Sequence, residues 1–190
     1  MSHDGAFPAG RLEPACIWFT GVPASGKSTL ALLLEARLRA EGRAVSLLDG
    51  DVVRRGLCSD LGFSEADRAE NVRRVSQVAR MMVDAGLIVL AAFVSPYGAE
   101  REKARALFAP GGFIEVFVDA STRTCERRDP KGLYARARRG EIADLSGFNG
   151  PYEAPGSPEV HLRTDDCGPE ASLALLLEGL ARTGRIRGPG

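Results

Sequence analysis

Residues 21–29 read Gly-Val-Pro-Ala-Ser-Gly-Lys-Ser-Thr and follow directly on an apolar run at 15–19. They fit the pattern G-x-x-x-x-G-K-[ST], in which a glycine-rich turn brings backbone N–H groups around phosphate oxygens. Residues 28–40 read as a helix, whose N-terminus adds positive potential at the same place. An ordinary strand-to-helix turn is the alternative, but the strand before and the helix after favour binding of a nucleoside triphosphate. The predicted binding residues are Gly21, Ser25, Gly26, Lys27, Ser28 and Thr29, with Lys27 on the outer phosphates and Ser28 on Mg²⁺.

Composition limits the possible classes of protein. The chain has 190 residues with 25 basic and 25 acidic side chains, so its formal net charge is zero. This length suits one domain, and the charge balance provides no general field for nucleic acid or an anionic membrane. Residues 1–14 lack the apolar stretch of a signal peptide, so we expect a cytoplasmic enzyme. We predict a single domain over 15–182, with flexible segments at 1–14 and 183–190.

Apolar runs at 16–19, 44–48, 87–93 and 113–118 alternate with helix-like segments at 28–40, 65–85, 99–107 and 121–128. A fifth strand is expected at 160–163 and a last helix at 170–182. Such alternation predicts an α/β fold with a parallel sheet flanked by helices, which together with the opening motif is a P-loop NTPase fold. Residues 129–158 are rich in Pro, Gly and charge and are predicted to be loop or a basic lid. Ligands of such sheets bind beyond the carboxyl ends of the strands.

The second predicted strand ends in Asp49-Gly50-Asp51. Phosphoryl transfer to an alcohol needs a carboxylate linked to Mg²⁺ and a group that takes the proton of the alcohol, and this turn can supply both. An Asp that merely caps the next helix is the alternative reading. The third strand ends without an acidic residue, and no N-K-x-D motif is present. These two absences count against a motor ATPase and a GTPase.

Basic and amide side chains follow the acidic turn. Arg68 and Asn71 lie one turn apart on the helix at 65–85, and Arg54 approaches from the preceding segment. Guanidinium groups match phosphate and sulfate oxygens, so these residues suit an anionic acceptor. For the remaining basic residues of that helix, Arg73, Arg74 and Arg80, we expect a solvated face. Basic side chains of the lid are expected to neutralise the transferring phosphoryl group; they are Lys131, Arg136, Arg138 and Arg139. Arg128 is expected to stack on the adenine of ATP.

Several longer blocks resemble one family, the adenylylsulfate kinases, which phosphorylate the 3′-hydroxyl of adenosine 5′-phosphosulfate. The similarity extends from residue 15 to about residue 164 in the family's order. The matching blocks lie at 48–51, 60–68, 70–71, 84–90, 93–97, 115–119, 128–134 and 151–155.

The resemblance implies roles for individual residues. Asp51, or Asp49 and Asp51 together, matches the family's magnesium-binding and proton-accepting carboxylates. Phe63 matches an aromatic residue that stacks on the acceptor adenine, and Ser95 matches a serine that is phosphorylated in some members. A helix cap before Pro96 is the alternative role for Ser95. The positions that match acceptor-binding residues are Arg54, Arg68, Asn71 and Lys131.

The chain departs from the family at 145–149, where it reads Leu-Ser-Gly-Phe-Asn. The second adenine-stacking aromatic of the family becomes Leu145, unless Phe148 takes its place. Stacking on an aromatic is worth about 1–3 kcal/mol per base, so weaker acceptor binding or a modified acceptor is one implication.

The resulting hypothesis is a kinase that uses ATP and Mg²⁺ to phosphorylate adenosine 5′-phosphosulfate. One alternative is a kinase of the same fold that acts on another small alcohol or nucleotide, and another is a nucleotide sensor that regulates a partner. The resemblance further implies a homodimer and leaves open a functional link to an ATP sulfurylase.

Overall fold

The fold was obtained as a computed structural model that describes residues 11–187. The strands are β1 Arg11–Leu12, β2 Cys16–Thr20, β3 Val45–Asp49, β4 Ile88–Ala92, β5 Phe113–Asp119, β6 Val160–Arg163 and β7 Ile186–Arg187. The helices are α1 Lys27–Ala40, α2 Gly50–Val53, α3 Glu65–Asp84, α4 Gly98–Arg105, α5 Thr122–Arg128, α6 Leu133–Arg138 and α7 Pro169–Arg182.

Five strands form one parallel sheet in the order β3-β4-β2-β5-β6. Strand β2, which leads into the glycine-rich turn, lies in the middle and is buried along its whole length. Its apolar sequence is explained by this position, because a central parallel strand is covered on both faces. The predicted α/β fold and its parallel sheet are therefore confirmed.

The two faces of β2 belong to different parts of the core. Ile17 and Phe19 pack in the cluster that contains α1 and α7, whereas Cys16 and Trp18 pack in the cluster that contains α3 and α4. This division follows from the period of two along a strand. The helical spacing of Val72, Val75, Ala79 and Met82 places them on one face of α3, and these residues are buried or packed against the second cluster.

The segment at 129–158 is more ordered than its composition indicates. It contains α6, and Tyr134 of that helix is 1% exposed and donates from its hydroxyl to the Pro23 carbonyl at 3.0 Å. Both carboxylate oxygens of Asp129 accept from backbone N–H groups in the first turn of α6. The expectation of a loop is therefore wrong at 133–138, because capping and a buried tyrosine stabilise a helix too short to form by itself.

Strand β1 pairs with β7 in an antiparallel arrangement next to the main sheet. Part of the predicted flexible ends is therefore hydrogen-bonded, while residues 1–10 and 188–190 of that prediction lie outside the described residues. The bounds of the single domain stay a prediction. Within 11–187, no helix combines the length and the hydrophobicity that crossing a bilayer requires.

Candidate active site

The phosphate loop connects β2 to α1 at the carboxyl edge of the sheet. Its two glycines have positive φ angles, 153° at Gly21 and 110° at Gly26. A Cβ atom at Gly21 would also lie 2.4 Å from the Val118 carbonyl oxygen, so no side chain fits there. Lys27 begins α1 and donates to the Val22 carbonyl across the loop at 2.8 Å. Burial lowers the pKa of Lys27 to about 8, so its positive charge is lost as the pH rises above that value.

The acidic turn lies beside this loop. Asp49 accepts from the Ser28 hydroxyl at 2.6 Å and from the backbone N–H of Asp51 at 2.9 Å. It therefore caps α2, and it also contacts the phosphate loop through Ser28, so the two readings of this residue are compatible. Asp51 is exposed and forms an ion pair with Lys131, which reaches it from the lid. The lid is thus closed onto the acidic turn by a direct side-chain contact.

The donor atoms beside the loop fit Mg²⁺. A hydroxyl and a carboxylate that already lie 2.6 Å apart are oxygen ligands of the kind this cation prefers. Among residues 11–187 no group of three or more His, Cys, Asp or Glu side chains forms a protein-only metal site. Ser28 and Asp49 would therefore share the cation with nucleotide phosphates, as is usual for Mg²⁺.

A basic and aromatic wall faces the acidic turn. Phe63 is 66% exposed, and the Arg54 guanidinium lies 4.3 Å from the centre of its ring. Arg54 also donates to the Gly62 carbonyl at 2.8 Å, which fixes it beside the ring. Asn71 is 5% exposed, and its side-chain N–H₂ group has no hydrogen-bond partner among the described residues 11–187. A buried amide without a partner is costly, so this donor is available to a ligand in the cleft.

Arg68 of the same wall connects α3 to the lid segment at 129–158. It donates to the Ser146 hydroxyl at 3.0 Å, to the Asp144 carbonyl at 2.7 Å and to the Phe63 carbonyl at 2.8 Å. Asp144 and Ser146 were not among the predicted site residues. Their role depends on a contact across 76 to 78 positions of the chain, which no local pattern signals.

Arg128 lies on the other side of the phosphate loop. Its guanidinium donates to the carbonyls of Ser25 and Thr164, and the Thr164 hydroxyl also donates to the Ser25 carbonyl at 2.9 Å. Stacking of Arg128 on adenine stays a prediction, whereas its anchoring of the loop is a direct observation. Thr164 was missed, although it directly follows the fifth predicted strand and thus stands at the edge where ligands bind.

Ser95 is 3% exposed and belongs to a buried network of hydroxyl groups. It accepts from the Trp18 indole N–H at 3.1 Å and donates to the Thr20 hydroxyl at 3.0 Å. The alternative role as a helix cap is wrong, because α4 begins at Gly98 with Tyr97 as its N-cap. In this arrangement the Ser95 hydroxyl ties the end of β4 to the strand that precedes the phosphate loop.

The positions of Leu145 and Phe148 show which of the two side chains lies in the cleft where the chain departs from the family at 145–149. Leu145 lines the cleft and is 6% exposed. Phe148 instead packs edge-on against Tyr134 with ring centres 5.7 Å apart, and it is not among the residues that line the cleft. An aliphatic side chain therefore lines the cleft at this point, and Phe148 does not replace the missing aromatic.

The site residues surround one cleft of about 1040 Å³. The predicted site residues line this cleft with four exceptions, which are Gly21, Phe148, Arg138 and Arg139. Arg138 pairs instead with Glu126 and Arg139 with Glu141, so the structure does not bring these two lid residues to the cleft. Beyond the phosphate loop it continues to Thr164, Cys167, Pro169 and Ser172.

The cleft therefore has a phosphate loop on one side, a basic and aromatic wall on the other, and carboxylates between them. This arrangement on a parallel sheet defines a P-loop kinase that acts on a small molecule. More specifically, the chain belongs to the adenylylsulphate kinase family, whose model matches residues 13–163.

Individual relatives agree with this assignment. The chain is 55% identical over 174 residues to an adenylyl-sulfate kinase of Vibrio vulnificus (strain YJ016), covering 92% of this chain and 84% of the relative. It is 61% identical over 152 residues to the bifunctional enzyme NodQ of Rhizobium sp. (strain N33), covering 80% of this chain but 24% of NodQ. The structure resembles that of the Mycobacterium tuberculosis APS kinase CysC in complex with AMPPNP and APS, with a TM-score of 0.84 and 44% identity; the match covers 90% of this chain and 99% of the other.

Proposed function

We propose that this protein transfers the γ-phosphoryl group of ATP to the 3′-hydroxyl of adenosine 5′-phosphosulfate. The products are ADP and 3′-phosphoadenosine 5′-phosphosulfate. The observation that carries the proposal is the two-sided cleft, in which Asp51 stands between the phosphate loop and the basic and aromatic wall. This wall, called here the acceptor wall, consists of Arg54, Phe63, Arg68 and Asn71. Family membership supports the same acceptor.

The residues of the phosphate loop bind the donor in this proposal. Backbone N–H groups of the turn and the Lys27 ammonium hold the outer phosphates, so the γ-phosphorus faces the acceptor wall. Ser28 and Asp49 hold Mg²⁺, which offsets the charge of the phosphate oxygens when it is bound. A buried lysine with a pKa near 8 carries its full charge when phosphate is present, because the anion compensates its desolvation.

The acceptor lies against Phe63 with its charged groups on Arg54 and Arg68. The 3′-oxygen forms a bond to the γ-phosphorus while the bond to the oxygen bridging the β- and γ-phosphorus atoms breaks, and the hydroxyl proton passes to Asp51. Lys131 is already in contact with Asp51, so its ammonium lies where negative charge spreads during transfer. Positioning and charge neutralisation supply most of the rate enhancement, since phosphoryl transfer asks for little covalent chemistry from the protein.

Substitution of Asp51 tests this assignment. Asp51→Asn keeps the shape of an exposed side chain, so the protein remains folded, but turnover measured as ADP release falls by about 10²–10⁴-fold. The matched control is Asp84→Asn, because Asp84 is an exposed carboxylate at the far end of α3 that pairs with Arg80. Activity in a folded Asp51→Asn protein equal to that of Asp84→Asn would remove Asp51 from the mechanism.

The cellular context of the reaction is part of the proposal. We infer a cytoplasmic homodimer and a functional link to an ATP sulfurylase from the family resemblance. Sedimentation at several protein concentrations tests the dimer.

A further inference from the structure

The segment that carries two residues of the acceptor wall has little regular structure. Residues 54–64, called here the acceptor loop, consist of turns between α2 and α3 and contain both Arg54 and Phe63. Apolar contacts hold this loop through the fully buried Cys58 and the partly buried Leu61. Phe63 lies beyond both of them and is 66% exposed, so these contacts do not fix its position.

Arg74 fastens the middle of the acceptor loop to α3. It donates to both carboxylate oxygens of Asp60, at 2.6 and 2.8 Å, and to the Leu57 carbonyl at 3.0 Å. Its Nε–H donates to Glu70, one turn earlier on the helix, at 2.9 Å. Every nitrogen of the guanidinium therefore has a partner, and the paired contact with Asp60 is the geometry that defines orientation as well as distance. The expected solvated face is thus wrong for Arg74, because the acceptor loop folds back over it.

Neighbouring Arg73 provides the contrast. It also donates to Glu70, at 2.6 and 2.8 Å, but its side chain is 60% exposed. Within the described part of the chain, the Arg73 side chain donates to no residue other than Glu70. The two arginines therefore share a helix, a charge and a partner. They differ in whether they reach the acceptor loop.

We propose that Arg74 and Asp60 are positioning residues that hold Phe63 and Arg54 against Arg68 and Asn71. This inference rests on the proposed function, because it assigns the acceptor wall to substrate binding. Arg68 and Asn71 project from the same helix as Arg74. The Arg74–Asp60 pair therefore adds to the contact of Arg68 with the Phe63 carbonyl at 2.8 Å in fixing one half of the wall relative to the other. Neither Arg74 nor Asp60 lines the cleft, so both act through the residues that do.

Kinetics with both substrates separate this role from a general effect on folding. Arg74→Met is expected to raise the KM for adenosine 5′-phosphosulfate by about five- to tenfold, since a charge-assisted pair of this kind is lost. The KM for ATP stays within about twofold, because the phosphate loop is on the other side of the cleft. Asp60→Asn is expected to raise the acceptor KM and leave the KM for ATP unchanged in the same way. The double variant is expected to have an acceptor KM no higher than that of either single variant. Arg74→Lys is expected to have an intermediate acceptor KM, because it keeps only a point charge. Arg73→Met is the control and leaves both KM values unchanged.

Hydrogen exchange measures the positioning without catalysis. Amide exchange at 55–63 is expected to accelerate in Arg74→Met and not in Arg73→Met, while exchange in the sheet is unchanged. Equal exchange at 55–63 in the two variants, or an acceptor KM equal to that of Arg73→Met, overturns the proposal. Parallel increases in both KM values with faster exchange in the sheet also overturn it, because they indicate a role in folding alone. Faster exchange at 55–63 in a protein whose wild type does not use adenosine 5′-phosphosulfate would support the fastening of the loop and contradict the proposed acceptor.

Discussion

The buried ion pair between α4 and β5 makes a large stability effect predictable. Arg101 and Glu115 have side chains that are each 4% exposed, with 2.7 Å between Nε and Oε1. Arg101 also donates to the carbonyls of Ser95 and Glu153, both at 2.8 Å. One guanidinium therefore joins the sheet, the loop after β4 and the lid segment at 129–158.

The expected cost of Arg101→Met follows from what is left behind. Removing one partner of a buried pair costs about 3–5 kcal/mol, because the other charge stays buried without compensation. Arg105 still donates to the second oxygen of Glu115 at 3.2 Å, so the lower end of this range applies. With a urea dependence of about 2 kcal/mol per molar, a loss of about 3 kcal/mol lowers the midpoint of unfolding by about 1.5 M.

Trp18 offers a direct assay. It is the single tryptophan of the chain and is fully buried, so its fluorescence reports unfolding. The control is Arg37→Met, which removes a surface pair with Glu41 and is expected to cost less than about 1 kcal/mol. Arg101→Met combined with Glu115→Leu should recover part of the loss, since it removes the uncompensated charge. Equal midpoints for Arg101→Met and Arg37→Met would refute the argument.

Two further predictions concern the cleft. Affinity for ATP should fall above about pH 8, because burial lowers the pKa of Lys27 to about 8 and its neutral form does not attract phosphate. Titration calorimetry across pH 7–10 should show this decline for the wild type. Lys27→Ala should bind ATP weakly at every pH in that range. Phe63→Ala should raise the KM for the acceptor by about fivefold or more, because stacking is worth about 1–3 kcal/mol. The free energy of unfolding should not change, because the ring is 66% exposed. An unchanged acceptor KM would exclude Phe63 from the site.

Local sequence predicts the strands of the main sheet and the long helices, but not the short helices. The strands around β2 are continuous apolar runs because both faces of the sheet are covered, and their predicted positions differ from the observed ones by a few residues at most. The short helices α2 and α6 were not predicted. Their formation depends on Asp49 and Asp129, which cap them through local side-chain contacts, and on a tyrosine whose partner lies 111 positions away.

The functional site likewise has residues that local sequence predicts and residues that it does not. The glycine-rich turn and the acidic pair follow strands directly, so the carboxyl edge of the sheet brings them together as predicted. The role of Arg74 could not be predicted, because helical spacing shows which residues share a face but not which loop folds over that face. Arg80 was missed for the same reason, since it donates to the Leu107 carbonyl at 3.0 Å instead of standing free in solvent.

Identification of the phosphorylated product tests the central claim most directly. The protein is incubated with MgATP and adenosine 5′-phosphosulfate, and the nucleotides are separated and analysed by mass spectrometry and phosphorus NMR. The account predicts ADP and 3′-phosphoadenosine 5′-phosphosulfate in equal amounts, and no transfer to a 3′-deoxy analogue of the acceptor. ADP formation without a phosphorylated acceptor, or transfer to the 3′-deoxy analogue, would contradict it.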